Sequence, residues 1–319
     1  MKTGAVHWKF LILLWLGVLL NGGCLTSRVS LPRLLPLHPP VAAEELVGRI
    51  ACLQQVQAVR TAVQLQFVDY RDSTRGVGKA YPSASGALVL RRPQFIRLQV
   101  QASLLGSLAD MASDGQQFTV AVFYPADRQA FIRGSNAKTY KLPAAEQKPA
   151  PDVSAFASLR PQHLSVPLLP PPIPPASPDI SWSVFETRRD ESLMTDARPE
   201  WVTRTYYLLY GAQRDLSGQW HPRFAYWFDR TQPGTPLTRL EVFEENGDLS
   251  TISDFGGYTT NGGTPKLLPE WVRILRPAEG YALRVMFQSP EINPPSLPED
   301  VFTLTNDRNL KVVDLDAQP

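Results

Sequence analysis

Apolar and polar side chains alternate with period two in run after run of this 319-residue chain, and that pattern leaves those runs room for little but strands. Val63, Leu65 and Phe67 alternate with Gln64 and Gln66. Ile96, Leu98, Val100 and Ala102 alternate with Arg97, Gln99 and Gln101, and Phe118, Val120, Val122 and Tyr124 continue the pattern. Successive side chains on a strand point to opposite faces, so each run is half-buried, with one dry face and one wet. Asp114-Gly115 lies between two such runs and marks a hairpin, while Pro93 breaks the run from Leu90 to Phe95 at a bend.

The second half predicts seven more strands, over 180–186, 203–211, 224–229, 237–244, 250–258, 271–275 and 281–288. In the last, Tyr281, Leu283, Val285 and Phe287 share a face, with Arg284 on the other. In 237–244, Leu240 and Val242 face inward, and Arg239 and Glu241 face out. Asn246-Gly247 is a type I′ hairpin signal. Helices are few. Leu46, Ile50, Leu53 and Val56 recur at helical spacing and predict a helix over 42–59; a short one is expected around 153–159 or beyond. About ten or more antiparallel strands with helices at the start and middle imply a curved sheet covered by helices.

Two segments break the pattern with proline. Residues 25–40 hold four prolines and read as an extended tether. Residues 165–178 hold seven in fourteen, a density that excludes a central strand or a helix interior. That run reads either as a stiff linker between two halves of one sheet or as an apolar polyproline ligand for a partner's aromatic groove.

The N-terminus gives an address. Lys2 and Lys9 precede an apolar run over 10–20, then Asn21, Gly22, Gly23 and Cys24. The run is too short for a spanning helix and has the layout of a signal peptide. With Cys24 after two glycines it resembles the lipobox of bacterial lipoproteins, in which that cysteine is acylated and becomes the first residue. Asn21 departs from the aliphatic residue usual there, and an ordinary secretory signal is the other reading. Removal of 1–23 takes away two lysines and no acid, leaving Lys plus Arg equal to Asp plus Glu. No basic cluster appears, which argues against nucleic-acid binding. No later segment is long and apolar enough to span a bilayer, so membrane attachment is expected through the N-terminus alone. If Cys24 is acylated, Cys52 is left as a small buried hydrophobe; if it is not, a Cys24–Cys52 disulfide is the rival.

The order of elements resembles the lipoprotein-carrier fold of LolA and LolB, and most of all their outer-membrane lipoprotein relatives. The carrying pieces are the N-terminal helix, GALVLRRPQFIRLQV at 86–100, SDGQQFTVAVFYP at 113–125, and the hairpin-rich stretch 224–258. LLPEWVRILRP at 267–277 and NPPSLPEDVFTL at 293–304 complete them. The resemblance implies an open, incomplete antiparallel β-barrel with helices as a lid over an apolar concavity that holds acyl chains. It covers about 42–304, which divides the chain into a signal peptide at 1–23, a tether at 24–41, the barrel domain at 42–304 with the proline run inside it, and a tail at 305–319. The alternating faces supply Phe67, Leu98, Val100, Val120, Tyr226, Phe228, Leu240, Val242, Leu283, Val285 and Phe287 as the expected lining. The receptor's exposed apolar loop has its candidate counterpart in the proline run. Leu25 after Cys24 is not the aspartate that marks inner-membrane retention, so the resemblance implies the outer membrane.

Chemistry is sparse. After residue 23 the chain has three histidines, His38, His163 and His221, far apart, and no HExxH, CxxC, GxSxG, GxGxxG or Walker pattern. No catalytic residue, metal or cofactor is expected. Asp110 and Asp114, and Glu241, Glu244 and Glu245, read as solvated surface; Arg91, Arg92 and Arg97 read as charges guarding strand edges. The expectation is a lipid-anchored envelope protein that binds an acyl chain or other lipophile. The alternatives are an assembly lipoprotein with a packed barrel that docks a protein partner, and a hydrolase with a convergent site.

Overall fold

A computed structural model describes residues 31–71, 76–138, 161–194, 199–258 and 266–317. The signal segment with Cys24, most of the tether and the helix expected over 153–159 lie outside the described residues. The chain divides into two compact units, one of 1–34 and 190–203, the other of 35–189 and 204–319.

The described elements, in chain order, are β1 (Arg33–Leu34), α1 (Ala43–Leu53), β2 (Ala58–Asp69), β3 (Lys79–Ala80), β4 (Ala84–Arg91), β5 (Phe95–Ala102), β6 (Gly106–Asp114), β7 (Gln117–Val122) and β8 (Ala130–Ser135). There follow α2 (Pro161–Leu168), β9 (Ile180–Met194), β10 (Pro199–Arg214), β11 (Trp220–Asp229), β12 (Leu237–Phe243), β13 (Leu249–Gly256), β14 (Trp271–Arg276), β15 (Tyr281–Ile292) and β16 (Val312–Asp314). Short 3₁₀ turns occupy Ala126–Arg128 and Glu299–Phe302.

All sixteen strands join one sheet. From β10 it runs antiparallel in chain order to β15; β15 then pairs with β2, and β4 to β8 follow in order. The seam between halves is long, from Tyr281↔Asp69 to Ile292↔Val59. The first and last strands of the order do not pair with one another among the described residues, so the sheet is curved and open, as expected. Two marginal pairs are parallel rather than antiparallel: β1 with β10, and β16 with β8. Residues 312–314 of the expected tail thus extend the sheet. Within the smaller unit, Arg33 pairs with Glu200 at 2.6 Å and the Thr203 hydroxyl donates to Asp190.

The alternation holds where it is strongest. Val63, Leu65 and Phe67 are buried while Gln64 and Gln66 are half-exposed. Leu46 and Ile50 of α1 and Leu164 and Leu168 of α2 belong to the same apolar core as the inward strand residues. The helix is shorter than its periodicity suggests. It ends at Leu53, and from Ala58 onward pairing with β4 and β15 claims the backbone. The Asn293 carboxamide clamps that exit: its oxygen accepts from the Gln57 and Ala58 N–H groups, and its NH₂ donates to the Gln55 carbonyl.

The 165–178 run differs from expectation. Pro167 lies inside α2, where it lacks the N–H that would reach back to His163. Burial of Leu164, Leu168 and Leu169 offsets that missing bond. Ile173 packs against the core, and the Pro174 carbonyl accepts from the Trp182 indole at 2.9 Å. The run is packed over 165–170 and against Ile173, while 175–178 are exposed, so it is not an exposed apolar loop as a whole. The 244–248 hairpin forms, but its turn is not type I′. Only Gly247 is left-handed (φ +86), Asn246 is not, and the register shifts beside Phe243, the signature of a type I turn with a glycine bulge.

Candidate functional site: an apolar cavity beneath α1

Strands β6 and β7 are buried on both faces in their central stretches, because Glu299–Phe302 and the segment after it cover their outer side. This corrects the reading of Asp110 as solvated. Asp110 is 8 % exposed and pairs with Arg97 at 2.6 Å, and Arg97 also donates to the Thr303 carbonyl at 2.6 Å. Arg308 caps the Phe123 ring at 4.2 Å, and Arg91 lies over the rings of Phe95 and Phe302, which meet edge to face. None of these arginines is simply an edge guard.

Arg92 has the most consequential placement. Its Nε donates to the Val56 carbonyl (2.8 Å), Nη2 to Leu53 (3.1 Å), and Nη1 to Pro170 (2.8 Å) and Leu169 (3.4 Å). Leu53 is the last residue of α1, and Leu169 and Pro170 directly follow α2. One guanidinium therefore satisfies the orphan carbonyls at the ends of both helices, where a cation also complements the helix dipoles. Gln54 reinforces the junction by donating to the Pro170 carbonyl. Desolvation lowers the Arg92 pKa, and the Tyr226 phenol, buried beside that charge, has its own pKa raised by burial.

Beside this junction opens a cavity of about 800 Å³. Its roof is the second half of α1 (Arg49, Ile50, Cys52, Leu53). Its walls are Phe228, the β11–β12 loop from Gln232 to Pro236, Leu237 and Thr238, the end of β13 from Phe255 to Tyr258, then Lys266, Leu267 and Trp271. The glycine at 256 is required by the wall itself. A Cβ there would fall 2.4 Å from the Trp271 ring, so the indole can lie flat across the backbone only because no side chain intervenes. Arg284 covers the same ring at 4.8 Å. Burial raises the Tyr258 phenol pKa, so this polar tip stays neutral over ordinary pH. A volume near 800 Å³ with mostly hydrophobic lining falls in the range of about 300–1,000 Å³ of ordinary ligand sites.

A second, narrow cleft shares Leu53, Leu237, Phe255 and Tyr258 with the cavity and ends at Arg92, Leu168 and Pro170. Its volume is about 10 Å³, at most room for one water. The cleft thus adjoins the cavity across these four shared side chains, with Arg92 among its own walls.

The eleven residues expected to line a pocket share the inward face. Phe67, Leu98, Val100, Val120, Tyr226, Phe228, Leu240, Leu283 and Val285 are buried in the core, and Val242 and Phe287 pack against it half-buried. Of the eleven, Phe228 alone lines the cavity. The other lining residues come from α1, loops and strand ends, where period-two reasoning has nothing to read. Cys52 also departs from expectation: its thiol is exposed and free rather than buried, because it lies on the cavity side of α1 and not on the Leu46–Ile50 stripe. Away from the cavity, Leu104 and Leu105 at the β5–β6 turn are 98 % and 49 % exposed, two adjacent leucines that the strand pattern passes over.

Among the described residues no group of three His, Cys, Asp or Glu side chains is placed to hold a metal, and no helix is long and apolar enough to cross a membrane.

No protein-family model and no curated sequence matches the chain. Solved structures do. A LolA superfamily protein from Nitrosomonas europaea is similar at 13 % identity and a TM-score of 0.42, over 83 % of this chain and 99 % of that one. A DUF1329 family protein from Desulfovibrio piger is similar at 11 % identity and a TM-score of 0.41, over 81 % and 95 %. A Vibrio parahaemolyticus domain named for outer membrane lipoprotein sorting is similar at 8 % identity and a TM-score of 0.41, over 81 % and 94 %.

Proposed function

We propose that this protein is an envelope carrier that takes an acyl chain or similar lipophile into the cavity beneath α1 and hands it on without making or breaking bonds. The cavity carries the reading. Apolar walls reward an acyl chain by about 0.8 kcal/mol for each CH₂ removed from water, with no obligatory polar partner. The narrow cleft toward Arg92 offers a route by which a longer chain enters the sheet interior when the ends of α1 and α2 part. Attachment to the outer membrane through an acylated Cys24 belongs to the same proposal, and so does a deeper pocket lined by the inward side chains from Phe67 to Phe287. Leu104 and Leu105 supply an apolar tip suited to touching a membrane surface during hand-over.

A second reading is an assembly lipoprotein with no ligand. The dense packing of nine of the eleven inward side chains favours it. Native mass spectrometry separates the two. The mature chain with Cys24→Ser, exported by an ordinary secretory signal and purified without detergent so that no lipid is attached covalently, should retain a non-covalent adduct of lipid mass. Cys52→Trp and Leu267→Trp, which fill the cavity from partly accessible positions, should lose it. A clean apo mass with no uptake of added lipid refutes the carrier reading.

A further inference from the structure

The cavity has a sign. Its lining contains two cations, Arg49 and Lys266, and no carboxylate. Each cation has an acidic partner outside the lining: Arg49 donates to Glu45 at 2.6 Å, and Lys266 to Glu270 at 2.6 Å. The members of each pair are unequally placed. The carboxylates are 58 % and 53 % exposed, the cations 28 % and 33 %. Water and salt therefore screen the negative partners more than the positive ones, and pairs this open are weakly held. Arg49 is also fixed in place, because its Nη1 donates to the Thr235 carbonyl in the β11–β12 loop at 2.9 Å. That leaves the guanidinium with donors to spare, since its fork carries five N–H groups.

Resting on the carrier reading above, we infer that the ligand is an amphiphile with an anionic head group, a carboxylate or phosphate held between Arg49 and Lys266 while its chain lies against Trp271, Leu267 and Phe228. A charged head on a long chain needs two environments side by side, and this cavity offers both. A neutral or cationic amphiphile would leave the two cations facing an apolar wall without gain.

The test uses the purified full chain and a fluorescent fatty acid, 11-(dansylamino)undecanoate, beside its methyl ester. The acid should bind about tenfold more tightly than the ester, and added salt should narrow the gap. Arg49→Met and Lys266→Met should each weaken the acid by about fivefold and leave the ester within about twofold, the size of one partly screened charge contact. Arg49→Lys and Lys266→Arg should restore acid binding. Displacement of the bound acid by palmitate or by palmitoyl lysophosphatidic acid supports the inference, and the tighter competitor identifies the head group as carboxylate or phosphate. Equal binding of acid and ester, or parallel weakening of both by the Met variants, overturns the head-group inference and leaves the carrier reading standing. Binding of neither probe overturns both.

Discussion

Arg92 is the side chain whose removal should say most about how the two helices sit on the sheet. Replacing it by Met keeps much of the aliphatic stem and removes four hydrogen bonds to the carbonyls of Leu53, Val56, Leu169 and Pro170. Each buried carbonyl left without a donor costs about 1–3 kcal/mol, less where water reaches it, and the 3.4 Å contact to Leu169 contributes little. Loss of a cation at two helix C-termini adds about 0.3–1 kcal/mol for each. Against this, a half-buried guanidinium no longer has to be desolvated, the same cost that lowers its pKa. The net expectation is a destabilisation of about 2–4 kcal/mol, or roughly 3–7 °C in Tm for a chain of this size. The loss should be local first. Hydrogen exchange should quicken at the C-terminal turns of α1 and α2 while the β2–β15 seam stays protected, and a fluorescent fatty acid should enter faster. An Arg92→Met protein with unchanged Tm and unchanged exchange in both helix ends would refute the view that this residue joins them.

Other consequences follow from buried polar groups and exposed apolar ones. Tyr226 is fully buried and its hydroxyl has no hydrogen-bond partner among the described residues, so Tyr226→Phe should be neutral or stabilising by about 1 kcal/mol at pH 7 in urea titrations. Burial raises the Tyr226 pKa above its ordinary 10.0, so the unfolded chain loses this proton first. Its contribution is intact below pH 10 and is lost above it at about 1.4 kcal/mol per pH unit. The advantage of Tyr226→Phe should therefore grow between pH 10 and 11, and a constant difference would contradict the argument. Asp110→Ala leaves Arg97 buried without its carboxylate and should cost about 3–5 kcal/mol; the double change Arg97→Met with Asp110→Leu should recover most of it. Leu104→Glu should weaken binding to phospholipid vesicles by about tenfold or more, the transfer cost of one large apolar side chain, and leave Tm unchanged.

How far these features could be read from the sequence depends on whether their cause is local. The strands over 63–67, 96–102, 237–243 and 281–287 were legible because alternation is imposed by the pleat within each segment. The β15–β2 seam was not, since pairing across more than 200 residues leaves no trace in either partner's own pattern. The same distinction separates the arginines. Arg92 and Arg97 look like edge charges beside a proline turn, and what lifts them out of water comes from far along the chain: residues 169–170 for one and 301–303 for the other. The cavity is the extreme case. Its lining is drawn from a helix, two loops and the ends of four strands, so no single periodicity could select it, and the inward face that periodicity did select is largely occupied by its own packing. Yet one local mark was present. Gly256-Gly257 stands at the end of a strand next to Tyr258, and a glycine in that place signals that something must lie close against the backbone. Here it is the Trp271 indole, one of the residues that line the cavity. Gly256→Val would force that ring off its seat, so it should abolish fatty-acid uptake while the distant Phe67–Tyr281 stacking, and the seam it belongs to, remain in place.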